Sequence, residues 1–269
     1  MKQDAKTGIM YREWVSSSPK TVLLLVHGLG GHSLRWQSLS EFFQRNGVAS
    51  YAIELRGFGE TKGPAGHVDS FSVYIEDILR LRHIIDEEHP GARVYVAGES
   101  VGALLVFLVA LSRPGLFSGL VCLSPALADT MRFSILDYLK IFIPLLYDPK
   151  KIFHLPFSSR MATRDTAYQE KLDEDKRERR FASSKFLFEV VVARWLISSE
   201  RKKLAVPALF LVAGSDLISN PAASRKLFNG LKVADKKFML YPEMHHALSI
   251  DVGREKVFED MHEWIRDRS

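Results

Sequence analysis

Residues 94–108 read VYVAGESVGALLVFL, and their pattern is the strongest indication of the fold in the whole sequence. Val94–Ala97 is a short apolar run, rich in β-branched residues, that is typical of a strand buried on both faces. Ala103–Leu111 is apolar on every side, which predicts a helix packed against a sheet. The pentapeptide GESVG between them therefore lies at a turn from strand into helix, with Ser100 at its centre.

A sharp turn from strand into helix presents its central side chain at the carboxyl end of the strand. Gly98 and Gly102 make this turn possible, because a Cβ atom at either position would collide with neighbouring backbone. The helix also directs free N–H groups and the positive end of its dipole toward Ser100. The context predicts a nucleophilic serine. A serine in an ordinary strand-to-helix turn is the alternative, since G-x-S-x-G also arises by chance.

Short apolar runs like the one before Gly98 recur along the chain, each ending near Gly, Ser, Asp or Pro. Between them lie helical patterns, one of which begins at a capping residue, Ser70. Strands that alternate with helices predict an α/β fold with a parallel sheet and right-handed crossovers. The five further runs are Val22–Val26, Ser50–Ile53, Leu120–Leu123, Leu209–Ala213 and Lys237–Tyr241.

The alternation stops after the fourth predicted strand and resumes only with the fifth. Long insertions between core elements are usually functional. We therefore expect a core in two parts, residues 1–127 and 204–269, with an inserted helical cap at residues 128–203. No strand is predicted inside the cap. Its charged run, Arg164–Arg180, predicts a solvated helix with ion pairs between residues four apart.

The composition excludes several classes of protein. The chain has 269 residues, of which 46% are hydrophobic and 26% charged, as in an ordinary globular protein with a large core. The net charge of +5 is a mild excess, and no basic stripe with interleaved aromatic residues indicates a nucleic-acid partner. A single cysteine, Cys122, excludes an intrachain disulfide and a cysteine zinc cluster, and neither a metal nor a cofactor is expected. Met1–Met10 does not resemble a secretory signal, so we expect a cytoplasmic protein.

A serine hydroxyl becomes nucleophilic when a base takes its proton and a buried carboxylate orients that base. Asp216 follows the fifth apolar run, at the carboxyl end of a predicted strand, where open α/β sheets place their sites. A capping or turn-forming role before Pro221 is the alternative for this aspartate. The candidate bases are His245 and His246, which follow the last predicted strand and cannot both face Ser100.

Residues 26–32, VHGLGGH, follow the first of these runs along the chain. Their glycines let the backbone approach a substrate oxygen, and the N–H groups of Leu29 and Val101 could together form an oxyanion hole. The same glycines, with Glu54 at the end of the next strand, also look like a dinucleotide-binding motif. The third glycine of that motif is missing, because its position is occupied by Ser33.

Together these motifs resemble the α/β-hydrolase superfamily, and within it the monoacylglycerol lipase and lysophospholipase-like serine hydrolases. The resemblance spans the chain from about Tyr11 to Trp264. It implies the α/β-hydrolase fold, with a mostly parallel central sheet flanked by helices and an inserted helical cap. The matching segments are HGLG at 27–30, ELRGFG at 54–59, GESVG at 98–102, SPA at 124–126, Asp216 and residues 241–248.

The resemblance implies a role for each candidate residue. Ser100 is the nucleophile, Asp216 the orienting acid and His246 the base. The backbone N–H groups of Leu29 and Val101 form the oxyanion hole. The implied reaction is hydrolysis of an acyl ester through an acyl-enzyme, with a monoacylglycerol or a similar lipid-like ester as the substrate. Lysophospholipase and short-chain carboxylesterase activities are alternatives.

His246 is preferred over His245 because relatives place the base five residues after a tyrosine-like position that closes the strand, here Tyr241. Two residues depart from the family pattern. Glu54 stands where relatives usually have Asp, and Glu99 stands where many have His. Neither departure removes a required group, but Glu99 adjoins the nucleophile, and we expect it to alter the local electric field.

An aminopeptidase or amidase with the same triad is a more distant alternative. Such an enzyme would show an acidic pocket for the substrate amine. The acidic residues of the cap that could contribute to this pocket are Asp165, Glu170 and Asp173.

The cap segment Phe133–Leu146 is mainly aromatic and aliphatic, which suits an acyl chain. The expected substrate-binding residues are Phe133, Leu136, Leu139 and Ile143. A second hypothesis makes these residues and Leu146 an exposed face that contacts a membrane transiently, with Lys140, Lys150 and Lys151 at head-group level. Simple packing of the cap against the core is the third interpretation. The sequence leaves the oligomeric state open.

Overall fold

A computed structural model of the protein describes residues 1–15, 17–131 and 134–268. All six apolar runs of the sequence form strands, and each strand matches its run to within one or two residues at either end. In chain order, the ten strands of the described residues are β1 (Lys2–Gln3), β2 (Met10–Trp14), β3 (Thr21–Val26), β4 (Ala49–Glu54), β5 (Arg93–Glu99), β6 (Gly119–Leu123), β7 (Ile152–His154), β8 (Phe181–Ser183), β9 (Ala208–Ala213) and β10 (Lys236–Tyr241).

Eight of these strands form one sheet in the order β1-β2-β4-β3-β5-β6-β9-β10. The six strands from β4 to β10 pair in parallel, which confirms the predicted fold class. The sequence does not predict β1 and β2, which pair antiparallel at one edge of the sheet. β2 carries Arg12 and Glu13 beside apolar residues, so it lacks the continuous apolar pattern of the buried strands.

Helices cover both faces of the sheet. One face packs against α1 (Gln37–Arg45) and α9 (Arg254–Arg266). The other packs against α2 (Phe71–Glu88), α3 (Val101–Ser112) and the long helix α7 (Ser184–Glu200). Ser70 caps α2 as expected, since its Oγ accepts a hydrogen bond of 3.2 Å from the N–H of Ser72. In chain order, the α-helices of the described residues are α1 (Gln37–Arg45), α2 (Phe71–Glu88), α3 (Val101–Ser112), α4 (Ile135–Phe142), α5 (Ser159–Ala162), α6 (Thr166–Glu174), α7 (Ser184–Glu200), α8 (Pro221–Asn229) and α9 (Arg254–Arg266).

We propose that residues 128–203 form the cap segment. It contains α4 to α7, but the expectation that it holds no strand is wrong, because β7 and β8 form an antiparallel pair within it. Its last helix, α7, packs Phe186, Val190 and Ile197 into the core that it shares with α3. Across the described ranges, no helix combines the length and the apolar character needed to cross a lipid bilayer.

The charged run Arg164–Arg180 is not the single solvated helix that its composition predicts. Only α6 is helical there, and the chain becomes extended at Asp175. No ion pair described for this run joins residues four apart. Arg177 pairs with Asp175 at 2.6 Å, and Glu178 pairs with Arg35 of the core. The prediction failed because these charges form tertiary contacts, which the local pattern does not reveal.

Candidate active site

The turn at Ser100 has the geometry of a nucleophile turn. β5 ends at Glu99, α3 begins at Val101, and Ser100 between them has φ 59° and ψ −119°. A positive φ is costly for a residue with a Cβ atom, so the surroundings must hold it in place. The N–H of Ser100 donates to the carbonyl of Leu123 at 3.0 Å, and its carbonyl accepts from the N–H of Ala126 at 3.1 Å.

Three glycines around Ser100 have no room for a side chain. A Cβ atom on Gly98 would lie 2.4 Å from the carbonyl carbon of Gly102, and one on Gly102 would lie 2.2 Å from the carbonyl oxygen of Val26. A Cβ atom on Gly28 would lie 2.9 Å from the Cβ of Ser100. The glycines of both motifs are therefore required because the strand ends and the two loops are in direct backbone contact.

Leu29 and Val101 line the cavity that also contains Ser100. Among the described residues, neither of their N–H groups donates a hydrogen bond to another group. Two free donors beside the serine are what an oxyanion hole needs. Gly30, the next residue of the loop, is fixed from the cap, because its carbonyl accepts a hydrogen bond of 2.8 Å from the N–H of Arg179.

His27 holds this loop in place through hydrogen bonds of its ring. Its Nε2 accepts a hydrogen bond of 3.1 Å from the N–H of Leu55, so its Nδ1 is the protonated nitrogen and donates to the carbonyl of Gly28 at 2.8 Å. Burial lowers the pKa of His27 well below its usual range, although the charge of Glu54 opposes this effect. His27 is thus a neutral structural residue.

Glu54 is buried and engaged within the protein. Its Oε2 accepts from the N–H of Ser33 at 2.6 Å, and its Oε1 accepts from the N–H of Glu60 at 2.8 Å. A ribose-binding carboxylate would have to face a ligand, whereas Glu54 is absent from the lining of the cavity. The dinucleotide interpretation therefore finds no support in the structure.

Asp216 and His246 form a buried pair. The Nδ1 of His246 lies 2.8 Å from the Oδ2 of Asp216. The other carboxylate oxygen accepts hydrogen bonds of 2.8 Å from the N–H groups of Ile218 and Ser219, so Asp216 also forms the turn that its alternative role required. The helix that begins at Pro221 is capped by Asn220 instead. A proton on Nδ1 leaves the Nε2 of His246 free to act as a base.

The environment of His246 sets its pKa. Burial alone lowers it, and the charge of Arg35 lowers it further. The charge and hydrogen bond of Asp216, together with the charge of Glu99, outweigh these effects and raise the pKa of His246 above its ordinary value of 6.5. The surroundings of His246 therefore favour its protonated, imidazolium form.

The structure separates the two adjacent histidines. His246 lines the cavity with Ser100, although no hydrogen bond between their side chains is present among the described contacts. Catalytic hydrogen bonds often tighten only when substrate binds, so this geometry is compatible with proton transfer. His245 turns away from the cavity, because its Nδ1 lies 2.9 Å from the carbonyl of Arg160 and its N–H donates to Asp251.

The substrate-binding residues expected in the cap are placed differently from the expectation. Leu136, Leu139 and Ile143 are 66%, 47% and 50% exposed and do not line the cavity. Phe133 lies outside the described residues. α4 instead turns its other face toward the cavity, with Tyr138, Ile141 and Phe142 in the lining. The further apolar cap residues that line the cavity are Leu155, Phe157, Ala162, Leu172, Leu187, Val190 and Val191.

Two ion pairs that the sequence analysis missed also line the cavity. Arg35 binds Glu178 through its Nε at 2.6 Å and through a second contact. Arg194 binds both carboxylate oxygens of Asp129, at 2.7 and 2.9 Å. Arg194 is the one cation in the apolar run VVVARWLI at residues 190–197, a signal that could have revealed it. Arg35 and Glu178 carry no comparable signal.

The other acidic residues of the cap lie away from the cavity. Asp165 accepts a hydrogen bond of 2.9 Å from Arg254, and Asp173 accepts one of 2.9 Å from Ser159. Glu170 is exposed. Within the described parts of the chain, no group of three or more His, Cys, Asp and Glu side chains is arranged to hold a metal ion.

Comparison with known proteins shows the family of the chain. The Hydrolase_4 family model (serine aminopeptidase, S33) matches residues 17–253. Human monoglyceride lipase is 25% identical over 264 residues, which cover 94% of this chain and 85% of that protein. The monoacylglycerol lipase of Mycolicibacterium smegmatis is 25% identical over 269 residues, covering 96% and 92%. The crystal structure of Paleococcus ferrophilus monoacylglycerol lipase superposes with a TM-score of 0.86 at 27% identity, covering 97% and 99%. The chain thus belongs to the serine aminopeptidase S33 family and is a monoacylglycerol lipase-like ester hydrolase with the α/β-hydrolase fold.

Proposed function

We propose that this protein hydrolyses monoacylglycerols or similar lipid-like esters, with Ser100 as nucleophile, Asp216 as orienting acid and His246 as base. The observation that carries the proposal is the buried hydrogen bond between Asp216 and His246, beside the strained turn at Ser100 and on the wall of one apolar cavity. The names of the relatives that cover nearly the whole chain support the same substrate class.

In the proposed reaction the Ser100 oxygen attacks the ester carbonyl carbon while the Nε2 of His246 takes the hydroxyl proton. Asp216 stabilises the imidazolium, and the N–H groups of Leu29 and Val101 bind the negative charge on the carbonyl oxygen. The intermediate collapses, and the alcohol leaves with the proton from His246. A water molecule activated by the same histidine then attacks the acyl-enzyme, which releases the fatty acid and restores Ser100.

The lining of the cavity supports a lipid substrate. Its apolar cap residues provide a surface on which an acyl chain can be removed from water. The Arg194–Asp129 and Arg35–Glu178 pairs give the same cavity a polar part. We assign that polar part to the alcohol portion of the ester, whether this is glycerol or a lysophospholipid head group.

The carboxylates of the cavity support an ester substrate over an amine-bearing peptide. Asp129 is held by Arg194 and Glu178 by Arg35. Glu99 accepts two hydrogen bonds from Ser249. In the part of the lining that the structure describes, each acidic side chain thus has a protein partner, so a substrate ammonium group would have to displace one.

The outer face of the cap supports transient contact with a membrane by a protein that we place in the cytoplasm. None of the residues of α4 is fully buried. Ile135 is 79% exposed and Leu146 is 88% exposed, an unusual cost in water for large apolar side chains. Exposed lysines flank this face at Lys140, Lys150 and Lys151, where they could bind anionic lipid head groups.

The decisive experiment measures turnover of p-nitrophenyl esters and monoacylglycerols of increasing chain length, with a p-nitroanilide for comparison. We expect Ser100→Ala to lower kcat/KM by roughly a thousandfold or more. His245→Ala is the matched control and should keep most of the activity, because that ring lies outside the cavity. Substantial ester turnover by Ser100→Ala would overturn the proposal, as would faster cleavage of the anilide than of the esters.

A further inference from the structure

Glu99, the residue before the nucleophile, is a buried carboxylate with no part in the reaction described above. It is 4% exposed and lines the cavity. Its Oε1 accepts a hydrogen bond of 3.0 Å from the N–H of Ser249, and its Oε2 accepts one of 3.0 Å from the hydroxyl of Ser249. Both oxygens are thus bound to one residue that is itself 1% exposed.

Ser249 lies three residues after His246, in the loop between β10 and α9. The Glu99 carboxylate therefore joins the end of the nucleophile strand to the loop that carries the base. Elsewhere the same loop is attached to the cap, through the N–H of Ala247 and the carbonyl of Ala162 at 2.9 Å. Among the described residues, the two hydrogen bonds between Glu99 and Ser249 are the side-chain hydrogen bonds that tie this loop to β5, the strand that leads into Ser100.

Few charged groups surround Glu99 and His246. His246 is faced by Asp216, Glu99 and Arg35. Glu99 is faced by His246 and Arg35, and Arg35 is itself held by Glu178. Burial raises the pKa of Glu99, against the hydrogen bonds from Ser249 and the charges of His246 and Arg35. The two hydrogen bonds from Ser249 favour the ionised form of Glu99, and the charge of that form acts with the charge of Asp216 to raise the pKa of His246.

We propose that Glu99 is a positioning residue for His246. The carboxylate of Glu99 fixes the loop that carries this base, and its charge stabilises the imidazolium formed when Ser100 loses its proton. The proposal rests on the proposed function of Ser100 and His246.

Glu99→Gln tests the charge, because it keeps the shape of the side chain and an acceptor for the N–H of Ser249. We expect the acid limb of kcat/KM to move down by roughly one pH unit, the effect of removing one nearby opposite charge. The same loss of imidazolium stabilisation lowers kcat on the plateau roughly tenfold, with KM little changed. Glu99→Asp keeps the charge but shortens the reach to Ser249, so it should lower kcat while the acid limb stays near the wild-type pH.

Glu189→Gln is the matched control. Glu189 is also a buried carboxylate, it accepts a hydrogen bond of 2.9 Å from the N–H of Phe71, and it does not line the cavity. The same chemical change at this position should leave the acid limb at the wild-type pH. A shift as large as that of Glu99→Gln would show that any buried neutralisation has this effect, which would overturn the proposal.

A second readout does not depend on turnover. In a Ser100→Ala background, the ring of His246 can be titrated by NMR with and without Glu99→Gln, and its midpoint should fall by about one pH unit. If the glutamine variant does not fold, Glu99→His replaces it and should lower the midpoint at least as far. An unchanged midpoint overturns the proposal whatever happens to kcat. The proposed function would fail separately, through ester turnover by Ser100→Ala.

Discussion

The two sides of the catalytic cavity are built in opposite ways. The floor comprises residues 27–31 and 98–102 together with the Asp216–His246 pair. Its two loops are in direct backbone contact, and Gly28, Gly98 and Gly102 have no room for a Cβ atom. The roof helix α4 has no fully buried residue, and Ile135 on this helix and Leu146 just after it are exposed to solvent. The contrast indicates where each property of the enzyme resides. In the proposed function, the floor fixes the reacting groups, whereas the roof can vary with the substrate at little cost in stability.

The cap repeats this contrast within itself. Its last helix, α7, buries Phe186 completely and shares the core with α3, whereas α4 rests on the surface. One part of the cap is therefore anchored in the core, and the other lies at the surface. The experiments that follow perturb first the floor and then the roof, and the difference between their effects should be large.

The largest effect is expected from Asp216→Asn. The amide can still accept from Ile218 and Ser219, but its NH₂ group would then face the Nδ1 of His246 and reverse the tautomer. Nε2 would carry the proton and could no longer accept one from Ser100. We expect kcat to fall by about 10³ to 10⁴-fold, measured with a p-nitrophenyl ester.

The control for that variant is Asp260→Asn, a buried aspartate that binds Tyr241 and Lys256 and does not line the cavity. It should retain most of the activity. If Asp216→Asn turned over esters as fast as this control, the floor would not depend on the orienting acid.

Gly102→Ala should break the floor sterically. The added Cβ would lie 2.2 Å from the carbonyl oxygen of Val26, so the nucleophile turn must shift. A displacement of about 1 Å at a reacting group costs roughly 100-fold in rate, and overpacking of this kind lowers the free energy of unfolding by about 1–3 kcal/mol. Steady-state kinetics and thermal denaturation measure the two effects.

Gly91→Ala provides the comparison for that change. Gly91 has φ +82° and open space around its missing Cβ, so the substitution tests backbone strain without a collision. We expect a loss of about 1 kcal/mol of stability and no change in kcat. Equal losses of activity in both glycine variants would remove the steric argument for the floor.

The pH profile tests the charges of the floor. His246 must be neutral to accept the serine proton, and its pKa is raised above 6.5. As the pH falls through that raised pKa, the imidazole becomes protonated and kcat/KM should drop roughly tenfold per pH unit. The acid limb should therefore lie above pH 6.5, and a profile that is flat from neutral pH to about pH 5 would contradict the role of His246.

The roof should give the smallest effects. Ile135→Ser combined with Leu146→Ser removes two exposed apolar side chains, so the free energy of unfolding should change by less than about 0.5 kcal/mol and turnover of a water-soluble ester should not change. Flotation with anionic vesicles at low salt should decrease several-fold. Leu240→Ser, at a half-exposed position on β10, is the control and should float like the wild type. Equal flotation of all three proteins would exclude this face as the membrane contact.

The sequence predicted the floor better than the roof, for a physical reason. Buried parallel strands require continuous apolar runs, and a strained turn requires glycines. Because both patterns are local in the sequence, six strands and the environment of Ser100 could be recognised. The inward face of α4 could not, since a short amphipathic helix looks the same whichever side meets the core. The tertiary partners of Arg35 and Glu99 were equally invisible, because they lie far away in the chain.

The backbone hydrogen bond from Arg179 to Gly30 has a consequence for protein engineering. Through this bond the cap segment holds the loop that carries Leu29, one of the two proposed oxyanion donors. A chimera that exchanges caps between relatives would therefore have to preserve the chain path near residue 179, or the transplanted lid would misalign the machinery it is meant to cover. At this contact, a change of cap made to alter the substrate range would also affect the catalytic activity.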